Sequence, residues 1–279
     1  MTGGWVLFQA AAVQLNSTSD EYANWEQADA LIREASALGA RFVCTPENTP
    51  FLGPHEEKVN RAESLNGPTC SRFSALAREL EIHLLLGSFA ELSGEPTRCF
   101  NTSVLFGPDG SRIAAYRKIH LFDVTIEANN ESYTESETLV PGEDIVVVDT
   151  PFGRLGMAVC YDLGFPELVR AMVEQGMEIC AVPSAFTSLT GRVHWESLLR
   201  SRAIENLTFM IAADQGGYHV GGRETHGDSM IVDPWGQVLN RLPHGTGVVV
   251  ANVDIDKLVH TRKMFPALEH KRFACARLS

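Results

Sequence analysis

The stretch GMAVCYDLGFPEL, residues 156–168, decides the interpretation of this chain because it places a cysteine between a strand and a helix. The small apolar residues before Cys160 predict a strand, and Pro166 with Glu167 is typical of a helix start. A thiol at the strand end would lie near the backbone N–H groups of the next turn, which favour a thiolate and bind an oxyanion. The alternative is a buried structural cysteine, and periodicity alone does not separate the two.

Two other segments place charged side chains next to predicted strands. The apolar strand before Pro46 puts Glu47 at its carboxyl end, and Lys118 follows a short strand after the turn at residues 107–110. Each has a simpler alternative: Glu47 as a neighbour of a helix N-cap and Lys118 as a solvated charge, the usual position of both residue types. In this order, Glu47, Lys118 and Cys160 match the Glu-Lys-Cys set of the nitrilase, or carbon–nitrogen hydrolase, superfamily. The chain resembles this superfamily from residue 10 to residue 254.

Further segments carry a resemblance to one branch, which contains deaminated-glutathione amidases and omega-amidases. They are residues 183–186, 190–191, 194–196, 200–206 and 229–236. The glycine-rich loop at 216–226 is more similar to the deaminated-glutathione amidases. The resemblance implies hydrolysis of the terminal amide of a small carboxylate-bearing substrate, with deaminated glutathione as the best candidate, through a cysteine thioester and release of ammonia or an amine. The alternatives are an omega-amidase acting on alpha-keto acid amides, a nitrilase, and a catalytically inactive scaffold.

The resemblance also implies roles for the catalytic residues. Cys160 would be the nucleophile and Glu47 the general base and acid, while Lys118 and the backbone N–H of Tyr161 would stabilise the oxyanion. The chemistry requires such a set, because a base must take the thiol proton and an acid must protonate the leaving nitrogen. A buried carboxylate next to a lysine and a thiol can exchange that proton, with pKa values that belong to the cluster.

A second glutamate is expected between the lysine and the cysteine. Matching residues 135–142 to the superfamily points to Glu135, which would position the substrate or Lys118. The preceding loop varies in length among relatives, so Glu131 and Glu127 are weaker candidates. An exposed loop acid is the simpler interpretation, because glutamate is mostly found at surfaces.

Substrate-binding residues are expected around the cysteine. Phe186 and Thr187 follow a strand end and are candidates for the pocket wall. Relatives usually carry an arginine where this chain has Gly164, so the chain has either a different substrate preference or another cation in that role. His219 and Arg223 are the candidate cations, although a flexible surface loop would account for them equally well.

Composition excludes several classes of protein. The chain has 279 residues, 44% of them hydrophobic, and a formal net charge of −12, which argues against binding to nucleic acid or to an anionic membrane. Its six cysteines are scattered without metal-ligand spacing, so we expect reduced thiols, a cytoplasmic location, and no metal or cofactor. No secretory signal or transmembrane run is apparent. The expected partner is a small-molecule amide.

Strands and helices alternate in the first part of the chain, and strands pair in the middle and at the end. This pattern predicts a mixed α/β protein, with irregular segments at 48–67 and 123–143. The resemblance implies a four-layer α-β-β-α sandwich, formed by a single domain over residues 1–279. It also implies a homodimer or higher homo-oligomer, with the tail from about 255 to 279 at the subunit interface.

Overall fold

The structure is a computed structural model that describes residues 7–126, 131–219 and 222–274. The strands in chain order are β1 (Leu7–Gln14), β2 (Ala40–Cys44), β3 (His83–Leu92), β4 (Cys99–Phe106), β5 (Arg112–Arg117), β6 (Asp123–Ile126), β7 (Glu131–Thr134), β8 (Val147–Thr150), β9 (Gly153–Met157), β10 (Ile179–Ser184), β11 (Phe209–Asp214), β12 (Gly216–Tyr218), β13 (Glu224–His226), β14 (Ser229–Val232), β15 (Val238–Leu242) and β16 (Gly247–Asp254). The helices are α1 (Glu21–Ala37), α2 (His55–Asn60), α3 (Pro68–Leu80), α4 (Pro166–Glu174), α5 (Ser188–Thr190), α6 (Glu196–Asn206), α7 (Ile255–Met264) and α8 (Ala267–His270).

Two six-stranded sheets form the centre of the protein. Their strand orders are β16-β1-β2-β3-β4-β5 and β15-β14-β11-β10-β9-β8. One apolar cluster joins the facing sheets, with Phe8 and Phe42 from the first and Ile179 and Met210 from the second. The outer face of the first sheet packs against α1 and α3, and α4 and α6 cover the second. The predicted four-layer α-β-β-α sandwich is therefore confirmed.

Local sequence signals explain where the main helices begin. Asp20 caps α1, and its carboxylate accepts hydrogen bonds from the backbone N–H groups of Tyr22 and Ala23. Ala28, Ile32 and Ala35 then recur at helical spacing and are fully buried against the sheet. In the same way α4 begins at Pro166, whose fixed φ suits the first helical position.

Parallel strands bring the candidate residues to one edge of the sandwich. β2 ends at Cys44, three residues before Glu47, and β9 ends at Met157, three residues before Cys160. The backbone N–H of Glu47 donates to the carbonyl of Ser184, the last residue of β10, at 3.3 Å. The carboxyl ends of strands from both sheets therefore meet where α/β proteins commonly bind ligands.

Three segments have more regular structure or more internal packing than their sequence patterns indicate. The segment at 48–67 contains the short helix α2, and the predicted loop at 123–143 contains a hairpin of β6 and β7. In the tail, Ile255 and Leu258 of α7 are buried, and the guanidinium of Arg262 donates to the carbonyls of Leu207 and Met177. These elements are too short for a clear periodic signal, and contacts with distant parts of the chain stabilise them.

No helix within the described ranges is both long and apolar enough to cross a membrane. Contact of the tail with a partner subunit stays a prediction, and residues 275–279 lie outside the described part of the chain.

Candidate active site

A cavity of about 270 Å³ opens at the edge where the strand ends meet. Its wall is formed by the charged catalytic candidates together with apolar side chains. Eight of the nine residues predicted for the site line it: Glu47, Lys118, Glu135, Cys160, Tyr161, Phe186, Thr187 and Arg223.

Cys160 begins a short 3-10 turn just after β9 and has a left-handed backbone, with φ of +51°. Such a conformation costs a non-glycine residue about 1–3 kcal/mol, so the surrounding structure must hold it in place. The strand predicted to run to the cysteine therefore ends earlier, and the sulfur projects from a tight turn. Strained turns of this kind occur at reactive sites, where they fix the direction of a side chain.

The carboxylate of Asp162 holds this turn in place. It accepts hydrogen bonds from the backbone N–H of Val159 at 2.9 Å and from the Tyr116 hydroxyl at 2.7 Å. It also accepts from the backbone N–H of His120 at 3.0 Å and lies 2.7 Å from the Nδ1 of that ring. Asp162 was not predicted from the sequence to be a site residue. The available signal was an aspartate two residues after the cysteine, in an otherwise mostly apolar segment.

Cys160 is only 8% exposed, and the surroundings of its thiol favour the protonated form. Burial raises its pKa well above the usual value, and the negative charge of Glu47 raises it further. Lys118 and a hydrogen bond from the backbone N–H of Ala185 act in the opposite direction but do not compensate. The expectation that this turn favours a thiolate is therefore wrong for the free protein, and the thiol needs a base.

Glu47 is the nearby candidate for that base. Its side chain is 2% exposed, and Oε1 accepts from Asn101 Nδ2 at 2.7 Å and from Lys118 Nζ at 3.1 Å. The next residue, Asn48, has a left-handed backbone, and its N–H donates to Ser88 Oγ at 2.8 Å. Asn101 was not predicted from the sequence to be a site residue, although an asparagine within an apolar strand usually makes a specific hydrogen bond.

Lys118 lies between two carboxylates. Its Nζ is 3.1 Å from Glu47 Oε1 and 2.8 Å from Glu135 Oε2. Burial opposes its charge, but these carboxylates outweigh that effect, and the pKa of Lys118 is raised well above its usual value. The alternative of a solvated surface charge does not apply, since the side chain is 1% exposed.

Glu135 lies in the 3-10 turn after β7. Its Oε2 also accepts from the backbone N–H of Phe122 at 2.9 Å. Burial opposes its charge, but Lys118 and Lys58 together lower its pKa to about 2. Glu131 instead accepts from the Tyr133 hydroxyl at 2.8 Å, and Glu127 lies outside the described residues.

The two candidate cations of the glycine-rich loop differ in position. His219 is buried and is not among the described residues that line the cavity. One of its ring nitrogens lies 2.7 Å from the Ser17 carbonyl oxygen, and the other lies 2.6 Å from Thr225 Oγ1. Arg223 does line the cavity, and its Nη2 donates to the Ala185 carbonyl at 2.8 Å. Its Nε is buried and has no hydrogen-bond partner among the described residues.

The remaining wall is mostly apolar. Val124 and Ile126 come from β6, in a segment that the sequence predicted to be a polar loop, and Phe122 immediately precedes that strand. Gly164 also lines the cavity, and a Cβ added there would meet no atom within 4 Å. The glycine therefore leaves open space next to the catalytic residues.

Comparison with known proteins gives a consistent result. The carbon-nitrogen hydrolase family model matches residues 9–263. A deaminated glutathione amidase from Synechocystis sp. is 39% identical over 269 residues, which cover 95% of this chain and 98% of that protein.

Two solved structures are also similar. The NitFhit protein of C. elegans superposes with a TM-score of 0.90 at 34% identity; the match covers 97% of this chain and 66% of that chain. The second is a glutamate-to-glutamine mutant of the amidase from Nesterenkonia sp. AN1, with acrylamide added at its active site cysteine. It superposes with a TM-score of 0.78 at 27% identity, and the match covers 94% of this chain and 99% of that chain. The chain therefore belongs to the carbon–nitrogen hydrolase family and is a hydrolase of carbon–nitrogen bonds other than peptide bonds.

Proposed function

We propose that this protein is an amidase that hydrolyses deaminated glutathione through a thioester at Cys160. The observation that carries the proposal is the convergence of Cys160, Glu47 and Lys118 in one cavity. Near-full-length relatives named deaminated glutathione amidase supply the substrate. The alternative of an inactive scaffold is less consistent with a buried base and ammonium next to the thiol.

Acylation begins with proton transfer from the thiol to Glu47. The thiol is protonated at rest, and the charge of Glu47 acts on it directly, so the carboxylate is well placed to accept this proton. The sulfur then attacks the amide carbon. The developing oxyanion is stabilised by the Lys118 ammonium and by the backbone N–H of Tyr161.

Collapse of this intermediate requires an acid. Glu47 returns its proton to the departing nitrogen and leaves the acyl group as a thioester on Cys160. The same carboxylate then takes a proton from water, which attacks the thioester carbon. The C–S bond breaks to release the acid product, and Glu47 returns the proton to the Cys160 sulfur. Glu135 keeps Lys118 charged and oriented throughout, because its oxygen holds the ammonium at 2.8 Å.

Arg223 is the proposed contact for a substrate carboxylate. Lys118 is already shared by two glutamates, whereas Arg223 lines the cavity and has no carboxylate partner among the described residues. The space next to Gly164 and the walls at Phe186 and Thr187 would accept the rest of the molecule. His219 supports the loop that carries Arg223 and does not contact the substrate.

The test is a substrate panel for wild-type protein and Cys160→Ala. The panel holds deaminated glutathione, alpha-ketoglutaramate and an aliphatic nitrile, with carboxylic acid and amine products followed by mass spectrometry. Turnover of the first substrate above the others, lost in Cys160→Ala, supports the proposal. Preference for alpha-ketoglutaramate would make the protein an omega-amidase, and turnover that persists in Cys160→Ala would exclude the thioester route.

We also infer a homodimer that functions in the cytoplasm. Trp235 is 63% exposed and packs edge-on against the exposed Phe265 at 5.6 Å, and the exposed Ile204 lies beside the following residue, Gly236. Such an apolar patch commonly marks a protein interface. The five cysteines within the described residues are free and buried, which suits a reducing compartment. Light scattering of wild type and Trp235→Ser, and cell fractionation, test these two inferences.

A further inference from the structure

Asn101 forms hydrogen bonds with both Glu47 and Lys118. Its side-chain Nδ2 donates to Glu47 Oε1 at 2.7 Å, and its backbone carbonyl accepts from the Lys118 N–H at 2.9 Å. The residue lies in β4, between β3 and β5. It is 1% exposed and is not among the described residues that line the cavity. Asn101 therefore contacts the base and the cation from the interior of the protein and not from the cavity.

The amide group of Asn101 is only partly satisfied. Its Oδ1 is buried and has no hydrogen-bond partner in the part of the chain that the structure describes. A buried polar atom without a partner is unfavourable, and an apolar side chain in β4 would avoid that cost. The reversed amide would be worse, because Oδ1 would then lie against the Glu47 carboxylate, where both groups are acceptors. The hydrogen bond to Glu47 therefore accounts for an asparagine at this position.

The two donors to the Glu47 side chain share one of its oxygens. Asn101 Nδ2 and Lys118 Nζ both donate to Oε1, at 2.7 and 3.1 Å, and no described residue donates to Oε2. Each carboxylate oxygen has two lone pairs. The two donors therefore occupy Oε1, whereas Oε2 keeps both of its lone pairs. Because a base accepts a proton through a free lone pair, this arrangement leaves Oε2 for proton transfer.

We propose that Asn101 is a positioning residue that holds Glu47 by Oε1 and thereby presents Oε2 as the oxygen that exchanges protons. In the mechanism above, Oε2 takes the thiol proton and gives it to the departing nitrogen, then takes a proton from water and returns it to the sulfur. Without the Asn101 donor only Lys118 would hold the carboxylate, whose terminal torsion has broad preferences. The inference rests on the proposed function in taking Glu47 as the base and Cys160 as the nucleophile, whichever amide is the substrate.

The test compares Asn101→Leu and Asn101→Ala in the full chain. Both variants lack the donor, but leucine keeps a branched side chain in that space whereas alanine leaves a cavity. We expect kcat to fall by about 10- to 100-fold in both at unchanged KM, the effect of one lost hydrogen bond to a charged group. Iodoacetamide labelling of Cys160, followed by mass spectrometry, should stay close to wild type because the charge of Glu47 remains. If Asn101→Leu does not fold, Asn101→Ala still gives the measurement.

Thr102→Val is the matched control. Thr102 is the next residue of β4 and is fully buried, and its hydroxyl donates at 2.7 Å to Oε2 of Glu91, a buried carboxylate outside the candidate site. Valine keeps the shape of threonine and removes this donor. The two substitutions thus remove the same kind of hydrogen bond from the same strand, but only that of Asn101 reaches the base. We expect Thr102→Val to lower the melting temperature and to leave kcat and KM close to wild type.

Turnover is measured with deaminated glutathione and with p-nitrophenyl acetate, an activated ester that acylates a thiol. If wild type hydrolyses the ester through Cys160 but not the amide, only the substrate assignment fails, and the comparison of variants is made with the ester. If wild type hydrolyses neither, the assignment of Glu47 and Cys160 fails and this proposal fails with it.

Four results would overturn the positioning role. A kcat close to wild type in both Asn101 variants would show that Glu47 works without this donor. A loss in Asn101→Ala but not in Asn101→Leu would mean that Asn101 only fills space. A rise in KM as large as the fall in kcat would place Asn101 in contact with the substrate. An equal loss of kcat in Thr102→Val would attribute the effect to the strand as a whole.

Discussion

The Nζ of Lys118 and the Oε1 of Glu47 are 3.1 Å apart, and the two side chains are 1% and 2% exposed. Removing two charges from water is costly, and such a pair rarely stabilises a fold more than apolar residues would. Its value here is chemical, because the pair brings a base and a cation to a thiol that is itself protonated.

Glu47→Gln should change reactivity and turnover in opposite directions. The charge of Glu47 raises the pKa of the Cys160 thiol, so its removal should lower that pKa and speed alkylation near neutral pH. Loss of the general base should reduce kcat by about 100-fold or more. Measuring iodoacetamide labelling and kcat on the same preparations tests both effects, and slower labelling in Glu47→Gln would contradict the assignment of Glu47.

Lys118→Met should destabilise the fold as well as abolish turnover. It leaves the carboxylates of Glu47 and Glu135 without their shared cation, which costs about 3–5 kcal/mol of unfolding free energy in buried pairs. Urea denaturation measures this loss. Arg98→Met is the control, because its pair with Glu95 is exposed and worth about 1 kcal/mol or less. Equal losses in the two variants would contradict the burial argument.

Glu135 should contribute to stability only above acidic pH. Lys118 and Lys58 overcome burial and lower its pKa from the ordinary value to about 2. A lowered folded-state pKa gives stability that is complete above the unfolded-state pKa and is lost as pH falls through the folded-state value. The difference in unfolding free energy between wild type and Glu135→Gln should therefore be constant near neutral pH and shrink below about pH 4. A difference that grows at low pH would contradict the ion pair.

Arg223→Gln should weaken substrate binding more than chemistry. We expect KM for a carboxylate-bearing amide to rise by about 10- to 100-fold, as for loss of a charge-assisted hydrogen bond, with a smaller change in kcat. An amide without a carboxylate serves as the control substrate and should show little change in KM. An equal increase in KM for both substrates would mean that Arg223 has a purely structural role.

Gly164→Leu should change selectivity while preserving the fold. Gly164 lines the cavity, and no atom lies within 4 Å of an added Cβ, so a larger side chain fits there without displacing its surroundings. We expect a melting temperature close to that of wild type and a loss in kcat/KM of about tenfold for the larger amides. Comparing alpha-ketoglutaramate with deaminated glutathione measures the selectivity, and equal losses for both would argue against a role for this space.

Much of the architecture follows from local sequence. The cap at Asp20, the apolar spacing of α1 and the proline at the start of α4 predict those helices to within about one residue. The order of Glu47, Lys118 and Cys160 correctly indicated the family, because each residue follows a strand whose end is legible in the sequence. Short elements such as β6 and β7 were less predictable, since four-residue strands carry little periodic signal.

The set of secondary-structure elements and the identity of the reactive groups follow from the amino-acid order alone. The orientation and protonation of those groups depend on tertiary contacts. Asp162 forces the left-handed turn at Cys160 through Tyr116 and His120, and burial keeps the thiol protonated. His219 turns away from the cavity to bond Ser17, 202 positions earlier in the chain. Desolvation and long-range hydrogen bonds arise only when distant segments pack together, so no local pattern encodes them.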